Sequence, residues 1–283
     1  MTKVLVLGSG AALPAKGRFN TTLAFLKGAR TLLLDCAQPA SELLFHHGVD
    51  TASVDTVVLT HLHADHVTSI GQLAHIKHHY IDPIYARALL TRTDPTYRSQ
   101  IRHPAAEDYD NIQNVLRIYV PAGVEKVIRD YLAVLYLRPE VFVNFSIEVL
   151  PFGEGVFHDD PDFTLTAIPN NHIREYYPEL EGTDAVRDSY SILVESDGRK
   201  TLYSSDLAAI EEIEPHAGAA DLVFIEGAHF PAEQLLAFVK RAGLKRVAVH
   251  HILSLREQGF AEHADALAAA NVVATHDGLE IEI

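Results

Sequence analysis

The sequence predicts an α/β protein in a single domain, and three observations lead there. Short runs rich in Val, Leu and Ile alternate along the chain with stretches of helical period. No Pro/Gly/Ser-rich linker, low-complexity run or fixed-period repeat divides the 283 residues, a length that suits one large domain. Several apolar runs stop abruptly at His or Asp, so the chemistry gathers at strand ends, where α/β sheets bind their ligands.

Taken in order, residues 3–7 read as the first strand, and Gly8-Ser9-Gly10 opens a long loop. Residues 21–26 and 31–34 form a hairpin around Lys27-Gly28-Ala29-Arg30. Residues 39–47 are helical, with Gly48 placed to end the helix in a left-handed turn. Residues 55–59 form a buried strand. Residues 116–120 form another, followed by the turn Pro121-Ala122-Gly123. Residues 124–137 read as a helix, with positions 124, 127, 128, 131, 132 and 135 on one apolar face. Residues 147–151, 163–169, 189–195 and 200–204 are assigned to a second sheet, which 222–226, 246–250, 272–275 and 279–283 continue. Residues 231–242 and 260–270 are amphipathic helices.

Residues 80–115 break the pattern and read as an insertion. This stretch is polar and holds Arg87, Arg92, Arg98 and Arg102, with Asp94 the one acid between the first and last. Two readings stand. It is a lid that brings guanidinium groups to an anionic substrate, or it is a solvated excursion or the contact of a homodimer.

Composition narrows the function. The formal net charge of −15 repels a long polyanion, so nucleic acid is not the expected partner, whereas a small anionic substrate is compatible. No apolar stretch reaches the length of a bilayer span. The N-terminus enters a strand directly, unlike a signal peptide, and the single Cys36 rules out an internal disulfide framework. A cytoplasmic protein is expected. Cys36 itself reads as a small buried apolar residue.

One heptapeptide outweighs the rest. Thr60-His61-Leu62-His63-Ala64-Asp65-His66 places three imidazoles and a carboxylate directly after the apolar run 56–59. Imidazole nitrogen and carboxylate oxygen suit Zn²⁺ and its first-row neighbours. His61 and His63, leaving a strand, can grip one ion, and Asp65 and His66, bending into a helix, can grip a second. With 17 His in the chain, pairs arise by chance, but an ordered cluster behind a buried strand does not.

The pattern His-x-His-x-Asp-His resembles the signature of the metallo-β-lactamase-fold hydrolases. Later strand ends extend the resemblance. Residues 165–169 run into Asn170-Asn171-His172, residues 200–204 into Ser205-Asp206, and residues 247–249 into His250-His251, while Asp35 closes the early hairpin. The resemblance covers nearly the whole chain and implies a four-layer αββα sandwich with a helix over 67–79. It also implies two divalent metal ions: zinc is expected, with manganese and iron as the other candidates. In that pattern His61, His63 and His172 hold the first ion. Asp65, His66 and a late His hold the second, and Asp206 bridges the two. Both His250 and His251 compete for the late place. His251 is preferred because the family's ligand follows the last strand residue, and because it shares the parity of Val247 and Val249. Asp35 is expected to orient a ligand from behind.

The family chemistry is attack by a metal-bridged hydroxide on an electrophilic carbon or phosphorus, with Asp65 and Asp206 as catalytic carboxylates. No Gly-x-Ser-x-Gly elbow or phosphate-binding Gly-rich loop offers another mechanism. The opening from Gly8 to Thr22, Ser204-Ser205-Asp206-Leu207 and Ala220–Glu226 resemble the ribonuclease Z and phosphodiesterase branch. That branch carries a His just before the Glu, where this chain has Ile225. His229, three residues after Glu226, is the candidate to replace it. The long arm that grips transfer RNA is not recognisable. The expected activity is therefore hydrolysis of a small phosphodiester or related anionic ester. The alternatives are a lactone or thioester hydrolase, a transfer-RNA 3′-processing endonuclease, and a non-catalytic metal-binding accessory protein.

Overall fold

Two seven-stranded sheets make up the centre of the computed structural model, which describes residues 1–81, 114–138, 140 and 145–283. In chain order the first half contributes β1 (Lys3–Gly8), β2 (Thr22–Lys27), β3 (Arg30–Leu34), α1 (Ala40–His46), β4 (Val54–Val58), α2 (Ala64–Val67), α3 (Ile70–Ile81), β5 (Val115–Pro121), α4 (Glu125–Val134) and β6 (Ser146–Phe152). The second half contributes β7 (Gly155–Asp159), β8 (Thr164–Asn170), α5 (His172–Tyr176), β9 (Ser189–Ser196), β10 (Arg199–Tyr203), α6 (Glu214–Ala217), β11 (Leu222–Glu226) and α7 (Ala232–Ala242). It ends with β12 (Val247–His250), α8 (Glu257–Glu262), α9 (Ala264–Ala269), β13 (Val272–Ala274) and β14 (Glu280–Glu282).

The sheet orders mirror one another: β14-β1-β2-β3-β4-β5-β6 in one and β13-β12-β11-β10-β9-β8-β7 in the other. Each has antiparallel strands on one side and a parallel run on the other. The strands read as near-continuous apolar runs because both faces are covered. Val6, Leu23, Phe25 and Val58 from one sheet meet Phe163, Ile192, Tyr203 and Phe224 from the other in a shared inner core. Leu33, Val57 and Ile118 pack outward against α1, α3 and α4. Ile225, Val247 and Val249 pack outward against α7 and α8. This is the αββα sandwich.

Two strand assignments differ from the sequence expectation. Residues 147–151 lie in β6, which pairs in parallel with β5 and so belongs to the first sheet. Residues 279–283 contain β14, which pairs antiparallel with β1, also in the first sheet. Apolar patterning marks a strand but carries no information about its partner, and both strands sit at sheet edges, where only long-range pairing decides membership. The second sheet instead starts at β7, a half-exposed strand with no apolar run to announce it. The helix expected over 67–79 is split: α2 ends at Val67, and α3 starts afresh at Ile70 after Ser69 N–H has bonded to Cys36 O. The helix over 260–270 is likewise two, divided at His263. Arg87, Arg92, Arg98, Arg102 and nearly all of the expected insertion lie outside the described residues. Among the described residues, no helix is long and apolar enough to cross a membrane.

Glycine matters at one point for the site. A Cβ on Gly8 would sit 1.8 Å from Asn20 O, so only glycine lets the 11–20 loop cross back over β1. That crossing brings Ala11 and Ala12 to the wall of the cleft described next.

Candidate metal centre

The sequence-selected residues converge on one rim of the sandwich, at the C-terminal ends of β3, β4, β8, β10 and β12. Three of the turns there are made by non-glycine residues in the left-handed region: Asp35 (φ 59°), Ser205 (φ 52°) and His251 (φ 51°). Such conformations cost free energy and gather at functional sites, where the surrounding structure holds them. They turn the chain sharply as it leaves each strand.

After β4 the chain bends at Thr60 and His61 and then reaches His63, which caps α2 with φ −63° and ψ 146°. His61 and His63 therefore come from the turn between β4 and α2, whereas Asp65 and His66 lie in the first turn of α2. His172 opens α5 directly after β8. His61, His63, His172 and Asp206 offer ligand atoms within 4.8 Å of one another, and Asp65, His66 and His251 form a second such group.

The distances suit small cations. His61 Nε2 lies 3.0 Å from His63 Nδ1, His172 Nε2 lies 3.4 Å from His63 Nδ1, and Asp206 Oδ2 lies 3.6 Å from His172 Nε2. Ligands about 2.0–2.1 Å from a tetrahedral ion stand roughly 3.3 Å apart. In the second group His251 Nε2 is 3.2 Å and His66 Nε2 3.7 Å from Asp65 Oδ2. Asp206 divides its oxygens between the groups. Oδ2 faces His172, and Oδ1 lies 3.5 Å from His66 Nε2 and 3.2 Å from His251 Nδ1.

For the three imidazoles of the first group, protonation fits the same use. Burial pushes His61 well below its ordinary pKa, lowers His63, and pushes His172 down to about 4 against the pull of Asp206. Neutral imidazoles are what a metal requires. Burial would raise the pKa of Asp206, but His251 and His66 outweigh it and hold the carboxyl well below the usual range. The buried atoms His66 Nε2, Asp206 Oδ1 and His251 Nδ1 make no hydrogen bond, although Asp206 Oδ1 lies within 3.5 Å of the other two. Buried polar atoms are rarely left so, and a cluster of them facing one place fits divalent ions. The donor set, all N and O, suits zinc, manganese or iron.

Asp35, wholly buried, stands behind the ligands. Its carboxylate accepts hydrogen bonds from Thr60 N (2.9 Å), Thr60 Oγ1 (2.9 Å) and Tyr203 OH (2.6 Å), and lies 2.8 Å from His66 Nδ1. It thus fixes the His66 ring with Nε2 turned toward Asp65 and Asp206. Cys36 is fully buried in the outer core of the first sheet.

At the end of β12 the structure separates two adjacent imidazoles. His250 is buried between the sheets, 3.2 Å from Thr21 Oγ1 and with its ring 4.8 Å from Tyr203. His251 faces Asp65 and Asp206. Strand parity does not explain this: Val247 and Val249 point outward to the helices. The positive φ at His251 redirects its side chain toward the rim.

His229 stands at the edge of the same cleft. Its Nδ1 lies 2.7 Å from Glu226 Oε1, and its ring is 5.3 Å from that of His172. Glu226 is itself fully buried and accepts from Ala228 N and His229 N through Oε2. Burial lowers the His229 pKa, but the hydrogen bond and charge of Glu226, helped by Asp206, reverse the sign and raise it.

A cleft of about 340 Å³ opens over these groups, walled by Ala11, Ala12, Tyr176, Tyr177, Ala228 and Leu253. The two tyrosines were not foreseen. Tyr176 rings lie 4.8 Å from His172 and 5.0 Å from His229, and Tyr177 lies 5.5 Å from His63. A signal existed. If His172 starts a helix, Tyr176 is four residues on and must share its face.

The comparisons agree with this geometry. A sequence model described as the β-lactamase superfamily domain matches residues 104–276, and one described as anti-Pycsar protein Apyc1 matches residues 2–91. A ribonuclease Z from Bacillus subtilis is 21% identical, with 99% of each chain covered. The ribonuclease Z of Anoxybacillus flavithermus is 24% identical over 64% of this chain, which spans 50% of that relative's length. Among solved structures, the metallo-β-lactamase fold protein YhfI from Bacillus subtilis superposes with a TM-score of 0.69 at 19% identity, covering 100% of this chain and 99% of its own. A diphosphatase of the PhnP family gives a TM-score of 0.65 at 15% identity, covering 100% of this chain and 98% of its own.

Proposed function

The chain belongs to the β-lactamase superfamily, and from that premise we propose that it is a dinuclear metal-dependent hydrolase of a small phosphodiester or related anionic ester. The observation that carries the reading is Asp206, whose two carboxylate oxygens face two separate groups of nitrogen and oxygen donors. His61, His63 and His172 would hold one ion, Asp65, His66 and His251 the other, and Asp206 would be shared. Zinc is the proposed metal. When bound, such a pair acidifies a water and stabilises negative charge at the reacting centre.

The chain's own residues supply the rest. Asp35 holds the His66 ring in place through Nδ1. Glu226 raises the His229 pKa and holds its ring at the edge of the cleft, so His229 is placed to give a proton to the departing oxygen. Tyr176 and Tyr177 wall the substrate space. A phosphate ester as substrate is supported by the names of the ribonuclease Z relatives and of the diphosphatase. We place the protein in the cytoplasm.

Cleavage of RNA is the second reading, favoured by the full-length match to the Bacillus subtilis ribonuclease Z. The net charge of −15 opposes it. One experiment separates the readings. Zinc-loaded protein should turn over bis(p-nitrophenyl) phosphate and leave a panel of lactones and a structured RNA intact. Lactone hydrolysis without phosphodiester turnover would refute the proposal, and RNA cleavage would favour its rival.

A further inference from the structure

We propose that a second, apolar cavity beside the metal cleft is a subsite for a ring-sized apolar arm of the substrate. The inference rests on the reading of the cleft as the place where an anionic ester is held. The cavity measures about 220 Å³ and is lined by Leu62, Pro121, Val124, Ile173, Leu180 and Val186. His63 and Tyr177 line both spaces and form their common wall.

The local chain explains why an apolar site adjoins a metal site. Leu62 lies between His61 and His63, and it lines this cavity but not the metal cleft. Ile173 directly follows His172 at the start of α5 and likewise lines this cavity and not the metal cleft. Residues adjacent to the donors thus build the neighbouring cavity. Its size is sufficient for a ring, since a dry apolar cavity of about 150 Å³ accepts benzene. Its chemistry is selective. Asp188 lines the cavity, and Arg174 Nη2 donates to its carboxylate at 2.6 Å. A second phosphate placed here would meet mostly aliphatic walls and a carboxylate, and would lose hydration that these groups cannot replace. The site therefore favours an ester with one apolar aryl or alkyl arm over a continuing nucleotide strand.

The test is calorimetric binding of methylphosphonate, phenylphosphonate and 2-phenylethylphosphonate to the zinc-loaded full chain. All three present the same anion, so their differences isolate the arm. A phenyl-bearing ligand should bind about 10- to 100-fold more tightly than methylphosphonate, from the apolar area it buries. Val186→Asp and Leu180→Asp should each reduce that preference to below about threefold, with methylphosphonate affinity and zinc content unchanged. Equal affinity of all three ligands overturns the inference. So does a preference that survives both variants, or failure of the zinc-loaded protein to bind any of them. If neither variant folds, the wild-type series alone decides by the same criterion. Absence of phosphodiester turnover with the phenyl preference intact would count against the proposed activity and leave the subsite standing.

Discussion

Asp206 and Asp35 lie in one buried neighbourhood, yet their surroundings assign them different work. Asp206 lies against His172, His66 and His251, with one oxygen directed to each group. Asp35 contacts one of them, His66, and is otherwise tied to Thr60 and Tyr203. Asp206→Ala should therefore reduce bound metal from two equivalents toward none and abolish turnover. Asp35→Asn should keep two equivalents but weaken their affinity by about 10- to 100-fold. Metal analysis after dialysis against graded chelator distinguishes the outcomes, and equal losses in the two variants would contradict this division. The adjacent His pair gives a sharper comparison. His251→Ala should lose metal, whereas His250→Ala, buried against Tyr203, should lose thermal stability first. For His229 the expectation concerns leaving groups. His229→Ala should lower kcat about 10²–10⁴-fold for an alkoxide leaving group and much less for p-nitrophenolate, which departs without a proton. Because Glu226 raises the His229 pKa, Glu226→Gln should move the alkaline limb of the rate profile to lower pH.

Among the elements, α3 carries an unusual fixture. Lys77 is fully buried, and its Nζ donates to Ala52 O at 2.8 Å and to Val54 O, tying the helix to the start of β4. β4 leads to the His61 segment, so this tie sets the strand's position along its axis. Burial pushes the Lys77 pKa down to about 8, against the opposing charges of Asp55 and Asp50. The sign follows. Between about pH 8 and 10.5 the unfolded chain holds a proton that the folded chain has released, so this group makes stability rise with pH across that window. A shift of this size corresponds to roughly 3 kcal/mol at most. Urea unfolding at pH 8 and pH 10 should show that the slope is smaller in Lys77→Met than in the wild type. An unchanged slope would mean that Lys77 is charged and compensated in the fold.

For the whole molecule, the two sheets are joined at opposite ends by different chemistry. At the rim, prospective ligands come from both halves: His61, His63, Asp65 and His66 from the first, and His172, Asp206 and His251 from the second. Away from the rim, Arg30 of β3 donates to Asp55, Asp160 and Asp162, bridging the first sheet to the β7–β8 hairpin. Hydrogen bonds from Phe163 N, Asp162 N and Arg30 overcome the burial that would raise Asp160, and bring its pKa to about 2. The stability it contributes is complete above about pH 3.8 and is lost as pH falls toward 2. Asp160→Asn should flatten the acid limb of the stability curve in that window. Because the ions would bind only the folded chain, removing them should lower the unfolding midpoint. At a free metal concentration of about 1,000 Kd the linkage is worth about 4 kcal/mol. Calorimetry with and without chelator measures it, and superposable transitions would argue against a metal centre that joins the two halves.

The sequence by itself determined the parts that are local. Apolar runs located most strands because both sheet faces are buried, and the heptapeptide 60–66 displayed its donors because four of them lie in one short segment. Segment ends marked His172, Asp206 and the His250-His251 pair in the same way. The tertiary structure decided everything that depends on partners distant in the chain. It placed β6 and β14 in the first sheet, since edge strands are assigned by pairing and not by pattern. It separated His250 from His251 by a left-handed turn that parity cannot anticipate. It brought Glu226 against His229, and it set Tyr177 as the wall between the donor cluster and an apolar cavity whose lining comes from three separate segments. Side-chain periodicity fixes which face a residue presents. Only the packing of the two halves fixes what that face meets.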